Sequence, residues 1–130
     1  MTIYYDSKTG NLQRFVNKIR ACTNWECIKI SDDVSVSQCG HLITYTTQIG
    51  SVPESTLRFM EQHSSYIESV SSSGNQNWGV YYAKAANLIA DRYKIPVLLK
   101  FELAGLNSDV NMFIKKIQQH ADKEVDIAQQ

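Results

Sequence analysis

The chain has 130 residues, 43% of them hydrophobic, and two prolines, which predicts one soluble domain with a sizeable core. Thirteen Lys and Arg balance thirteen Asp and Glu for a formal net charge of +0, so there is no basic field to recruit nucleic acid or an anionic membrane. No apolar run approaches the roughly 20 residues that span a bilayer, and no signal-type segment opens the chain, so the expected location is the cytoplasm.

Thr2 to Asp6 (TIYYD) is short, aromatic and β-branched and ends in a Ser/Thr/Gly/Asn cluster, the pattern of a buried strand running into a loop. Leu12, Phe15, Val16 and Ile19 then repeat at helical spacing. Glu26 to Ile30 (ECIKI) and His41 to Thr46 (HLITYT) read as the second and third strands. Pro53 stands at the start of a helix carrying Leu57 and Met60. Tyr66 to Ser73 (YIESVSSS) is the fourth strand, and GNQNWG is a turn-rich loop before a helix with Tyr82, Ala86, Ile89 and Tyr93. Pro96 to Leu103 (PVLLKFEL) is the fifth. The last helix takes Ser108 as its cap and shows Val110, Phe113, Ile114 and Ile117 on one face, with a polar tail expected to fray after Ala121.

Alternating strands and helices imply right-handed crossovers and a parallel sheet covered on both faces. The expected fold is α/β and flavodoxin-like, a three-layer sandwich of one domain (1–130) with strand order 2-1-3-4-5. Ligands of such sheets sit beyond the carboxyl ends of the strands where the order reverses. That selects the loops Ser7 to Asn11, Thr46 to Val52, and Gly74 to Gly79.

The first loop offers hydroxyls, a carboxamide, a glycine and a helix N-terminus, all suited to an anion, although the same residues serve equally well as a helix cap. GxxxxGK[ST] and GxGxxG are both absent, which removes triphosphate and dinucleotide sites. The first 21 residues hold no cysteine to act as a phosphatase nucleophile, and Thr46 and Thr47 stand where a phosphorelay receiver needs an aspartate. Cys22, Cys27 and Cys39 form no CxxC pair, and His41, His63 and His120 have no metal-ligand spacing, so no disulfide framework and no metal are assigned. Trp78 among glycines and asparagines reads as a loop-tip indole on which a flat ring stacks. A phosphate loop and an aromatic loop at one sheet end make flavin mononucleotide (FMN) the natural ligand.

YYDSKTGN with RFVNK, YTTQIGSVPEST, SGNQNWG and KFELAGLNSDV together resemble the NrdI family, from Ile3 to about Val110 and in that family's order. The resemblance implies non-covalent FMN, with its phosphate held by Ser7, Lys8, Thr9, Gly10 and Asn11. It places the ring between Thr46, Thr47, Gln48, Ile49 and Gly50 on one side and Ser73, Gly74, Asn75, Trp78 and Gly79 on the other. Gln48 stands where some relatives carry glycine or asparagine, and Val80 where an acidic residue is common.

The implied role is that of an accessory protein rather than a stand-alone enzyme. A flavin reductant loads it with electrons, and it reacts with dioxygen. It then passes a reduced oxygen species, superoxide or peroxide, to the dimanganese small subunit of class Ib ribonucleotide reductase, where a tyrosyl radical forms. The rival readings are a generic electron-transfer flavodoxin and a cofactor-free interaction module. No Asp or Glu occurs from Thr44 to Pro53 or from Ser69 to Tyr82, so the ring loops should tolerate a fully reduced flavin.

Overall fold

The computed structural model describes residues 1–8, 10–47 and 50–129, with side chains as far as 123. The expected site residues Thr9, Gln48 and Ile49 lie outside the described residues. The elements are β1 (Thr2–Tyr5), α1 (Gly10–Cys22), β2 (Glu26–Lys29), β3 (Gly40–Tyr45), α2 (Glu54–His63), β4 (Ile67–Gly74), α3 (Lys84–Tyr93), β5 (Val97–Glu102) and α4 (Asn107–Gln129). Every pairing is parallel and the sheet order is β2-β1-β3-β4-β5, as the alternation of elements predicts. No helix among the described residues is long and apolar enough to cross a membrane.

Neighbouring strand residues project to opposite faces, so continuous apolar strands need cover on both sides. Ile3, Tyr5 and Ile43 form one buried cluster with Phe15, Val16 and Ile19 of α1 and Val110, Phe113 and Ile117 of α4. Tyr4, Leu42 and Val70 form the other with Phe59 and Met60 of α2 and Ala86 and Ile89 of α3. Phe15 stacks on Phe101 with ring centroids 3.9 Å apart, which ties α1 to β5.

Several expected details differ. In α2 the buried face is Thr56, Phe59 and Met60, and Leu57 is only partly covered. The third helix starts at Lys84, leaving Tyr82 outside it, because Ala83 adopts a left-handed conformation with φ 47°. Ser108 is exposed in the first turn of α4 and does not cap it. Asp109 does: its Oδ2 accepts the Leu106 N–H at 2.7 Å, and a carboxylate in the first turn also suits the helix dipole. The tail expected to fray is helical backbone as far as Gln129, since Ala, Asp, Lys and Glu past position 120 include good helix formers and no breaker.

The junction between β4 and α3 is the tightest link near the ligand end. A Cβ on Gly74 would lie 2.8 Å from the Ala83 Cα. Ser72 Oγ donates to the Ala83 carbonyl at 2.7 Å and accepts the Ala86 N–H at 3.1 Å. Glycine at 74 is thus what lets the start of α3 sit against the end of β4.

Candidate functional site

The strand order reverses between β1 and β3, and a cavity of about 370 Å³ opens there at the carboxyl ends of the strands. Lys8 and Asn11 reach it from the loop after β1, and Tyr45, Thr46 and Thr47 from the end of β3. Ser73, Gly74, Asn75 and Trp78 reach it from the end of β4, and Leu12 and Leu103 complete the wall.

Backbone bonds hold the second loop in place. Thr46 N–H donates to the Ser73 carbonyl at 3.0 Å, and its Oγ1 accepts the Ala85 N–H at 3.2 Å. Thr47 and Ser51 exchange two backbone bonds at 2.8 and 2.9 Å, which close the loop on itself. Gly50 has φ +83°, and a Cβ there would meet the Tyr81 ring at 2.8 Å. It therefore packs the second loop onto the segment following Trp78.

The third loop is braced as a short 3-10 turn over Gln76–Tyr81. Asn75 Oδ1 accepts the Asn77 N–H at 2.9 Å, and Glu102 Oε2 accepts the Gln76 N–H at 2.8 Å. Trp78 is half-buried in the cavity wall. Gly79, at φ 58°, is exposed with open space beside it. Leu103, also left-handed at φ 52°, donates its N–H to the Gly74 carbonyl at 3.0 Å.

At the start of α1, Arg14 folds back over the first turn. It donates to Asn11 Oδ1, and a Cβ on Gly10 would meet its Nη1 at 2.8 Å. The first turn has no acidic residue, so cation and helix dipole add to one positive end. Arg14 follows Gly10 and Asn11 by four and three residues in the same helix, so helical spacing alone brings its side chain to this turn.

A second cavity of about 710 Å³ adjoins the first, sharing Lys8, Tyr45 and Thr47 and adding Asp6, Ser7 and the start of α2. Burial pushes the Tyr45 phenol upward; the charge of Asp6 adds to this and a hydrogen bond with Ser55 opposes it. The absence of acids within the ring loops does not keep carboxylates away. Asp6 and Glu54 line the larger cavity, and Glu102, distant in sequence, accepts the Gln76 N–H of the third loop. Leu12, Tyr45 and Leu103 join the lining unannounced. Leu103 is 48% exposed, and an apolar residue just after a strand carries no local sign of a ligand.

The sequence model of the family described as "NrdI Flavodoxin like" matches residues 3–118. The chain belongs to the NrdI flavodoxin-like family. It is 40% identical over 114 residues to the SPbeta prophage-derived protein NrdI of Bacillus subtilis, covering 88% of each chain. It is 40% identical over 121 residues to protein NrdI of Bacillus licheniformis, covering 93% of this chain and 90% of that one. Protein NrdI of Macrococcus caseolyticus is 34% identical over 119 residues, with 92% and 90% covered. Among solved structures, a short-chain flavodoxin associated with a bacterial microcompartment superposes with a TM-score of 0.68 at 18% identity, covering 90% of this chain and 93% of that one. That likeness concerns the fold. Membership of the NrdI flavodoxin-like family implies a flavin cofactor.

Proposed function

We propose that this NrdI-family chain binds FMN in the cavity between β1, β3 and β4 and, once reduced by a separate reductant, reacts with dioxygen. It then delivers a reduced oxygen species to the dimanganese small subunit of class Ib ribonucleotide reductase. The observation that carries the reading is the make-up of the cavity: an indole and two leucines line it together with hydroxyl and carboxamide groups at the switch point, in about 370 Å³. That volume lies in the range of roughly 300–1,000 Å³ usual for small-molecule sites.

The donor set fits a monophosphate ester attached to a flat ring. Ser7, Lys8, Gly10 and Asn11, with the positive end of α1, take the phosphate without magnesium, and Thr9 belongs to the same loop. Trp78 offers its indole face to the ring. Thr46, Thr47 and Gly50 border it on one side, in the loop to which Gln48 and Ile49 belong, and Ser73, Gly74, Asn75 and Gly79 on the other. Leu12, Tyr45 and Leu103 exclude water from its edges. A bound flavin supplies the redox chemistry, and the protein sets its electronics. Lys8, the charged residue in the lining of the smaller cavity, favours negative charge there. Val80, 87% exposed two residues after Trp78, and Leu103 at the cavity rim favour an apolar protein surface as partner.

Two measurements test the reading. The purified chain mixed with FMN should show perturbed flavin absorbance, and an unperturbed spectrum refutes the cofactor. The reduced holoprotein, mixed with oxygen and a dimanganese reductase subunit, should generate tyrosyl radical. Intact flavin binding without radical leaves a simple electron carrier.

A further inference from the structure

A carboxylate taken out of water is costly unless donors replace its hydration. Asp6 is 6% exposed, and its donors come from another element, the first turn of α2. Ser55 Oγ and Thr56 Oγ1 both donate to Asp6 Oδ2, at 2.5 and 2.6 Å. Thr44 Oγ1 lies 2.7 Å from Thr56 Oγ1. Because the Thr56 proton is directed to Asp6, Thr44 is the donor in that pair, and the hydroxyl chain ends on the carboxylate. Among the described residues no salt bridge to Asp6 is formed, and Arg58 in α2 is engaged by Asp32 at 3.0 Å. Pro53 makes no side-chain cap at α2, and Asp6 adds its negative charge to that of Glu54 at the start of this helix.

The network joins the two loops of the proposed flavin site. Asp6 immediately precedes the loop Ser7 to Asn11, and Ser55 and Thr56 follow the loop that begins at Thr46. Asp6 is among the residues that line the larger cavity, which shares Lys8, Tyr45 and Thr47 with the smaller one. A purely structural link needs no charge, since an amide or an apolar pair closes such a gap at lower desolvation cost.

We propose that Asp6, acting through Ser55 and Thr56, is a positioning residue that fixes the second loop against the first and places a negative charge beside the bound flavin. This rests on the flavin reading above. Negative charge at that point opposes the gain of electrons by a neighbouring ring, so Asp6 weakens the hold on reduced FMN relative to oxidised FMN.

The test is Asp6→Asn in the full chain, with dissociation constants measured for oxidised and for reduced FMN. Asparagine keeps the size and an acceptor and removes the charge. The ratio of the oxidised to the reduced constant should rise about tenfold, equivalent to about 30 mV on a two-electron potential. The flavin-free variant should melt within a few degrees of wild type. An unchanged ratio overturns the proposal. Should Asp6→Asn not fold, Thr56→Val and Thr56→Ser decide: valine should weaken FMN binding about tenfold and serine restore it, and equal affinities overturn the proposal. Failure of the wild-type chain to bind FMN removes the flavin reading and this role with it. Wild-type binding with an unaltered Asp6→Asn ratio removes the positioning role alone.

Discussion

Ala83, Lys94 and Leu103 are non-glycine residues with positive φ, at 47°, 59° and 52°. Such conformations cost on the order of 1–3 kcal/mol and persist where surrounding contacts impose them. Ala83 and Leu103 border the ligand end, where Gly74 contacts both: its missing side chain admits the Ala83 backbone, and its carbonyl accepts the Leu103 N–H. Lys94 is a different case. It ends α3, donates its N–H to the Ala90 carbonyl, and sits where helices usually place glycine. Lys94→Gly should therefore stabilise the chain by about 0.5–1 kcal/mol, the relief of left-handed strain less the added freedom of the unfolded chain. Calorimetry should show a melting temperature higher by about 2–5 °C; a lower one would mean that the lysine side chain contributes more than its strain costs. None of the three conformations was legible in the sequence, because alanine, lysine and leucine carry no left-handed preference.

At the scale of elements, the apolar spacing of α1 identified its buried face in full: Leu12, Phe15, Val16 and Ile19 are all buried. Its first turn was ambiguous between a cap and an anion site, and the sequence alone left that open. Asn11 lines the cavity at the switch point and accepts from Arg14. Asn11→Ala should raise the FMN dissociation constant about tenfold, which corresponds to about 1.4 kcal/mol. Unfolding free energy should fall by no more than about 1 kcal/mol. Equal FMN affinity would return Asn11 to the role of a helix cap. The serine-rich β4 was legible as a strand despite its polarity, and the structure supplies the reason: Ser69 Oγ lies 2.7 Å from His41 Nδ1, and Ser72 bonds the start of α3. Paired hydroxyls are tolerated in a buried strand; Ser71 Oγ, buried on the same strand, finds no hydrogen-bond partner among the described residues. Gly74→Ala tests the weld that follows: its Cβ meets backbone rather than a movable side chain, so a loss of about 1–3 kcal/mol is expected in denaturant titration. A neutral result would show that α3 can shift away from the sheet.

For the whole molecule, burial is the leading cause that pushes the phenols of Tyr4, Tyr45 and Tyr82 above their ordinary value of 10.0. The folded chain holds these protons more tightly than the unfolded one, so on raising the pH the unfolded state loses them first. Their contribution is fully present below pH 10 and is lost as the pH rises through the folded values. Denaturant melts should show this decline, with tyrosinate absorbance rising as the chain unfolds; stability that grows above pH 10 would contradict it. The alternation of strands with helices determined the sheet and its order, because hydrophobic period is local and parallel crossovers leave few topologies. The switch-point rule likewise marked which loops meet, since the loops after parallel strands emerge at one end of the sheet. What only the tertiary structure decided is where side chains distant in the chain converge. Asp6 lands on Ser55 and Thr56, Glu102 on Gln76, and Leu103 on Gly74. Charge, distance and desolvation depend on through-space neighbours, and a linear pattern holds no record of them until the strands are placed side by side.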